Sequence, residues 1–318
     1  MAYELTIFNG KNAYSPAVEG SVVWETERKG SPGKLTFNVI YDKTLEFSEG
    51  NAVRFLSDNK KVFFGFIFTK RQSKDGIISV IAYDQLRYFK NKDTYVFKGK
   101  TATQIIKKIA KNNRLNTGTL ADTKYKFKTR VFDNKTLFDM CQEALEETTR
   151  KKGKLYVLYD SYGKLTLKNA ANMKVNVSIY AETAEDYSYE SSIDKETFNR
   201  IKLVYDNKEK NKRDVYMVQS GKNINKWGML QQYEKIQSTD RAKQKAKTML
   251  KLFNKPTRDL SIKGAFGDYR CRAGKSVPVY LIFNDVKQSG YLLIEKARHV
   301  FEKDSHTMDL TLIGGKYF

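Results

Sequence analysis

Apolar and polar residues alternate with a period of two through much of the chain. Tyr3 to Phe8, Gly20 to Glu27, Lys34 to Tyr41, Ala52 to Ser57, Val62 to Arg71 and Ile77 to Tyr83 each read as a strand. Turn formers separate them: Ser31-Pro32-Gly33, Asp58-Asn59 and Lys74-Asp75-Gly76. Short strands at even spacing predict a barrel or sandwich over residues 1–95.

The period changes from about residue 96. Thr101 and Gln104 stand where a capping box needs them, and Ile105, Ile106, Ile109 and Ala110 follow at helical spacing. A second helix is predicted from Thr136 to Thr148, with Leu137, Met140, Cys141, Ala144 and Leu145 on its apolar face and Glu143, Glu146 and Glu147 outside. A hairpin follows, Lys154 to Tyr159 and Lys164 to Lys168 around Ser161-Tyr162-Gly163, so residues 96–198 read as a small α+β domain. Strands resume at Asn199 to Tyr205 and Asp214 to Val218. After a less regular basic stretch, Asp240 to Phe253 reads as a helix, with Ala242, Ala246, Met249, Leu250 and Phe253 on one side and Pro256 ending it. Leu260 to Lys263, Ser276 to Phe283, Tyr291 to Phe301 and Thr307 to Ile313 are again β.

The two β regions match each other. Lys34-Leu-Thr-Phe, Glu49-Gly-Asn-Ala-Val and Gly65-Phe-Ile-Phe parallel Asp259-Leu-Ser-Ile, Ala273-Gly-Lys-Ser-Val and Gly290-Tyr-Leu-Leu. Gly50 to Gly65 is fifteen steps and Gly274 to Gly290 sixteen; Leu35 to Gly50 is fifteen and Leu260 to Gly274 fourteen. Glycines that open strands are common in β proteins, so coincidence competes with duplication; three elements in one order weigh against it. The expected fold class is mainly β with an α+β middle region. Two related antiparallel β-barrel domains, at 1–95 and 199–318, flank the α+β domain at 96–198, and the second barrel carries a helical insertion near 239–254. Duplicated barrels would let three chains about a threefold axis present six like modules.

The run Val62-Phe-Phe-Gly-Phe-Ile-Phe68 is apolar on both faces of a strand, with Phe64, Phe66 and Phe68 on one and Phe63 and Ile67 on the other. One face fills the barrel. The other needs a cover from the middle domain or a neighbouring subunit, which makes Phe63, Phe64, Phe66 and Phe68 the candidate interface.

Apolar residues make up 40% of the sequence and aromatics 13%, enough for packed cores and against disorder. No basic segment leads into an apolar core at the N-terminus, and no long uncharged apolar run occurs, so a product made and kept in a cytoplasm is expected. Fifty-eight Lys and Arg against thirty-six Asp and Glu leave a net charge of +22. Much of that is lysine scattered between apolar positions, as on solvated faces. Arg241, Lys243, Lys245, Lys247 and Lys251 on the Asp240 to Phe253 helix are the candidate electrostatic contact, for an acidic protein surface or DNA, with plain solvent as the competing reading.

Catalytic patterns are sparse. His299 and His306 are the only histidines, expected as a structural pair across a hairpin in which Phe301 faces His306, with no third ligand on that face and no metal. Glu143, Glu146 and Glu147 resemble an acid/base set for glycan cleavage, but such acids usually line a solvated helix face. No nucleophile elbow, phosphate loop or Cys-x-x-Cys occurs, and the two cysteines, Cys141 and Cys271, make no disulfide framework. Four Tyr-Asp pairs, at 41–42, 83–84, 159–160 and 205–206, are expected to end strands. Neither catalysis nor a cofactor is expected.

The segment Gly30-Ser-Pro-Gly-Lys-Leu-Thr-Phe37, the hairpin through Gly65 ending in Ile81-Ala-Tyr-Asp-Gln-Leu86, the strand Asn199-Arg-Ile-Lys-Leu203 and the ending His299-Val-Phe with His306-Thr-Met-Asp-Leu-Thr-Leu312 resemble the XkdQ/YqbQ-type tail proteins, over nearly the full chain. These are similar to the hub of T4-type contractile tails. The resemblance implies two tail-tube-like barrels per chain and a homotrimeric baseplate hub that adapts a sixfold tail tube to a threefold central spike. Tail tube or tube-end, tape-measure and baseplate wedge proteins would be its partners, with no membrane anchor. The lysine-rich composition looks like that of a prophage or phage-tail-like bacteriocin of a low-GC Gram-positive bacterium, assembled in the cytoplasm and released in the tail. With the sequence stopping soon after Gly314-Gly315, no fused lysozyme or spike is expected. A peptidoglycan-degrading tail protein and a single-stranded nucleic-acid-binding barrel are the alternatives.

Overall fold

The computed structural model describes residues 3–180, 184–207, 211–283 and 286–314. The first seven strands are β1 (Tyr3–Asn9), β2 (Asn12–Tyr14), β3 (Val18–Glu27), β4 (Lys34–Ile40), β5 (Ala52–Ser57), β6 (Lys60–Gln72) and β7 (Ile77–Tyr83). Strict alternation builds them: in β4, Leu35, Phe37 and Val39 are buried, while Lys34, Thr36 and Asn38 lie half exposed between them. The sheet curls so that Ile7 of β1 and Val22 and Trp24 of β3 share one core with Phe37, Phe55 and Ile67. β1 and β3 are not hydrogen-bonded to each other, so this first barrel is open.

The middle region holds β8 (Lys92–Lys98), α1 (Ala102–Asn112), β9 (Thr117–Leu120), β10 (Thr129–Thr136), α2 (Leu137–Lys152), β11 (Tyr156–Asp160) and β12 (Leu165–Asn169). The capping box forms as read, with Thr101 and Gln104 each accepting from the other's backbone N–H. Thr136 caps α2, and Gly153 ends it in the left-handed conformation at φ +68°.

Next come β13 (Ile179–Tyr180), β14 (Asp186–Ser192), β15 (Arg200–Asn207), β16 (Lys212–Gln219), α3 (Gly221–Trp227), β17 (Gln231–Lys235), α4 (Ala242–Phe253), β18 (Thr257–Phe266), β19 (Ser276–Phe283), β20 (Val286–Phe301) and β21 (His306–Gly314). Two boundaries move from the sequence reading. β13 and β14, expected in the middle domain, belong to the sheet of β18 to β21, while β15, β16 and β17 make a separate three-stranded sheet. The physical reason is a separate core: Ile201 and Leu203 pack against Ala242, Ala246 and Met249 of α4. The insertion into the second barrel therefore runs from β15 through α4 and is more than the single helix expected near 239–254.

The two β regions share one topology. The strand order β3-β4-β7-β6-β5-β1 is repeated as β14-β18-β21-β20-β19-β13. The detail extends to single hydrogen bonds: Gly50 N–H donates to Ile67 O and Ile67 N–H to Asn51 O, while Gly274 N–H donates to Ile294 O and Ile294 N–H to Lys275 O. A bulge follows the isoleucine in both copies, between Ile67 and Thr69 and between Ile294 and Lys296. β13 departs from the match, being parallel to β19 where β1 is antiparallel to β5, and so do bulges present in one copy alone, between Glu19 and Val23 and between Ile262 and Ala265. Aligned through these bonds, Leu35 corresponds to Leu260 as read, but Gly65, facing Val53, corresponds to Leu292, facing Val277. The sequence match of Gly65 to Gly290 was thus two residues off, because the β19–β20 hairpin is longer than the β5–β6 hairpin.

Candidate functional site

The two barrels are joined edge to edge. β20 outruns β19, and its second half takes β3 as neighbour, from Lys296 opposite Glu27 to Phe301 opposite Val22. Across this seam Arg28 donates twice to Glu295, at 2.6 and 3.0 Å, and Lys296 Nζ donates to Glu27 at 2.7 Å. The Arg28 side chain is almost fully buried, and a paired, bidentate geometry is what makes burying its charge tolerable.

Behind the seam the middle domain closes a three-way joint. Arg272, from the loop before β19, lies 5.8 Å above the ring of Trp24 and 4.6 Å from that of Tyr159, and its Nη1 donates to Asp160 O at 2.7 Å. Asp84 accepts from Gly33 N–H at 2.9 Å and Leu86 N–H at 3.0 Å. Asp160 accepts from Gly163 N–H at 2.7 Å and from Gln85 Nε2 at 2.8 Å. Burial, and then the charge of Asp160, push the Asp84 carboxyl well above its ordinary range, with the Arg272 guanidinium opposing. Two of the Tyr-Asp pairs read only as strand ends are thus also the acidic half of this joint. Asp42 does accept from Thr44 in a turn, but Asp206 lies inside β15, ion-paired to Arg213 and Lys235.

The aromatic strand faces the same joint. Phe63 and Ile67 are buried in the first barrel's core, and Phe64, Phe66 and Phe68 point the other way, half buried. Phe64 packs 5.7 Å from the ring of Tyr162, in the β11–β12 turn, and Phe68 lies 5.6 Å from Tyr83 and 5.9 Å from Tyr88. Part of the cover therefore comes from within the chain.

Of the basic set on α4, Arg241, Lys243, Lys247 and Lys251 are exposed. Lys245 is not: it is 5% exposed and paired with Glu234 of β17. Its position explains this, since it falls three residues after Ala242 and four before Met249, on the apolar side of the helix. That spacing could have been read from the sequence. Arg241 precedes the helix in a left-handed conformation at φ +52° and is not part of its face.

The histidines form a closed chain. His299 Nε2 lies 2.9 Å from Cys271 O, a carbonyl that can only accept, so Nε2 carries the hydrogen. His299 Nδ1 then accepts from His306 Nε2 at 3.0 Å. Trp24 stacks on His299 and Phe301 on His306. Burial holds His299 down to about 3 and His306 to about 4, so both are neutral at pH 7. Among the described residues no cluster of three His, Cys, Asp or Glu side chains is placed to hold a metal.

The three glutamates of α2 are half buried and tied up, in place of the solvated face expected. Glu143 pairs with Lys135, Glu147 with Arg130, and Glu146 with Lys29 at 2.8 Å. Burial alone would raise the Glu146 carboxyl, but the bonds from Lys29 and Gln142 outweigh it and hold it below its ordinary value. A general acid needs the opposite shift. A cleft of about 350 Å³ runs past Arg28, Lys195, Asp259 and Glu295, whose carboxylates are likewise ion-paired. Among the described residues no helix is long and apolar enough to cross a membrane.

Comparison with known proteins agrees with this architecture. The chain is 29% identical over 306 residues to the phage-like element PBSX protein XkdQ of Bacillus subtilis (strain 168), covering 93% of this chain and 92% of that one. A tail protein from Neisseria meningitidis MC58 superposes with a TM-score of 0.72 at 13% identity, over 100% of this chain and 98% of the other. The Escherichia coli c3393 protein, described as a component of the type VI secretion system with structural similarity to T4 bacteriophage tail proteins gp27 and gp5, superposes with a TM-score of 0.59 at 11% identity, over 99% of this chain and 77% of the other. The YQBQ-like family model matches residues 22–313, more than half of the sequence, and the chain therefore belongs to the YQBQ-like family.

Proposed function

We propose that the protein is the baseplate hub of a contractile tail, a homotrimer that joins the sixfold tail tube to the threefold central spike. The observation that carries this reading is the duplicated strand order, matched down to the Gly50–Ile67 and Gly274–Ile294 hydrogen bonds. A chain that contains one module twice completes a ring of six modules with three copies, and so can meet a sixfold object on one side and a threefold one on the other. The fold likeness to a protein described as similar to T4 gp27 and gp5 supports the same reading.

The role is mechanical. The Arg28–Glu295 pair joins the two barrels, Arg272 ties them to the middle domain, and the acids that resemble a hydrolase set are consumed by Lys135, Lys29 and Arg130. Its partners are the tube-end, tape-measure, spike and wedge proteins, met during assembly in the bacterial cytoplasm; DNA passes only if the particle is a phage. Lys243, Lys247 and Lys251 of α4, with Arg241 just before it, form the electrostatic contact to an acidic tail protein. The test is co-expression with the spike protein from the same gene cluster, followed by native mass measurement. Three hub chains per complex are expected, with no clearing of peptidoglycan in a zymogram; six hub chains, or one, overturns the reading.

A further inference from the structure

The seam inside the chain specifies a second seam between chains. Taking equivalent residues from the shared hydrogen bonds, β20 corresponds to β6 and β3 to β14. Within the chain, the second half of β20 runs along β3. The equivalent stretch of β6, Thr69 to Gln72, also lies beyond the end of β5, which pairs only with Lys60 to Phe66. β14, the counterpart of β3, ends its sheet and, among the described residues, pairs with β18 alone. Each chain thus has the two halves of a β20–β3 junction, at opposite ends and unjoined.

We propose that β6 of one copy adds to β14 of the next, in the antiparallel register that β20 and β3 use within the chain, so that one kind of edge contact closes the whole ring. The inference rests on the trimer reading and names its contact surface. The registers fix which residues meet. Trp24 faces Leu35 and Tyr189 faces Leu260, so Glu25 corresponds to Glu190; Ile67 corresponds to Ile294, so Arg71 corresponds to Arg298. Since Arg298 faces Glu25 within the chain, Arg71 of one copy faces Glu190 of the next, and Thr69 faces Ser192. Opposite charges thus stand at the same place in both junctions, on one face of the sheet, although within the chain Arg298 pairs with Asp309 and Glu25 with Lys34, and Glu190 also holds Lys195. Arg71 and Glu190 are both exposed. A head-to-tail contact of this type closes into a ring when its rotation matches the one already present inside the chain. An unpaired strand edge otherwise invites uncontrolled addition.

The test is a paired-cysteine variant, Arg71→Cys with Glu190→Cys, oxidised and run on a non-reducing gel beside its native mass. Covalent species up to three chains, reversed by reductant, are expected; the off-register pair Arg71→Cys with Asp186→Cys should give none. As a check without cysteine, Glu190→Arg should weaken assembly about tenfold and added Arg71→Glu should recover it. A trimer by mass with no cross-link and no rescue overturns the edge pairing and leaves the hub reading standing. A monomer by mass overturns the trimer and the pairing with it.

Discussion

Gly50 and Gly274 occupy one position in two copies of a module: each amide donates at 2.8 Å to the carbonyl of an isoleucine on the neighbouring long strand, and each has a positive φ, +86° and +88°. Their surroundings differ. A Cβ on Gly50 would meet nothing within 4 Å, whereas one on Gly274 would collide with Val157 of the middle domain. Gly50→Ala should therefore cost about 1–2 kcal/mol from backbone strain, and Gly274→Ala more, on the order of 3 kcal/mol, from strain plus overpacking. Urea denaturation of the two variants tests this; equal losses would contradict the difference.

The histidine chain makes stability depend on pH. The unfolded histidine takes a proton near 6.5, while burial holds His299 at about 3 and His306 at about 4 in the fold. Between pH 6.5 and 4 the unfolded chain binds more protons, so this contribution is full above pH 6.5 and is lost as pH falls. His299 alone accounts for on the order of 3 kcal/mol by pH 4. Midpoints of denaturation measured from pH 7 to 4 should fall less steeply in His299→Gln, by about one proton in the slope.

Arg272 holds the joint between the barrels and the middle domain. Arg272→Ala should destabilise by about 3–5 kcal/mol, because it leaves Asp84 and Asp160 buried beside an empty site. Adding Asp84→Asn should recover part of that loss in a double-mutant cycle. Additive losses would show that the two do not share one network.

Lys245 and Lys243 sit on the same helix and should behave oppositely. Lys245→Ala strands Glu234, which is itself about a quarter exposed, and should cost about 2–3 kcal/mol. Lys243→Ala, at an exposed position, should stay within about 0.5 kcal/mol. Thermal denaturation of both variants distinguishes them.

Local signals in the sequence were enough for most of the elements. Thr101 and Gln104 announce α1, and the alternation of Leu35, Phe37 and Val39 places β4, because these depend only on neighbours a few residues away. β14 escaped notice because Asp-Tyr-Ser-Tyr-Glu-Ser-Ser offers only two large apolar side chains, which pack beside the second barrel's core. The joint was illegible for a different reason. Asp84, Asp160 and Arg272 are far apart in sequence, and an Asp that ends a strand looks the same whether or not a buried arginine awaits it. The pairing of β20 with β3 is likewise long-range, with no turn to set its register.

Electron cryomicroscopy of the assembled protein, viewed down its axis, tests the central claim most directly. The account predicts a threefold ring with six similar lobes, alternately residues 3–83 and the second barrel of successive chains. A ring of six chains, or a particle in which the two barrels lie at different radii, would contradict it.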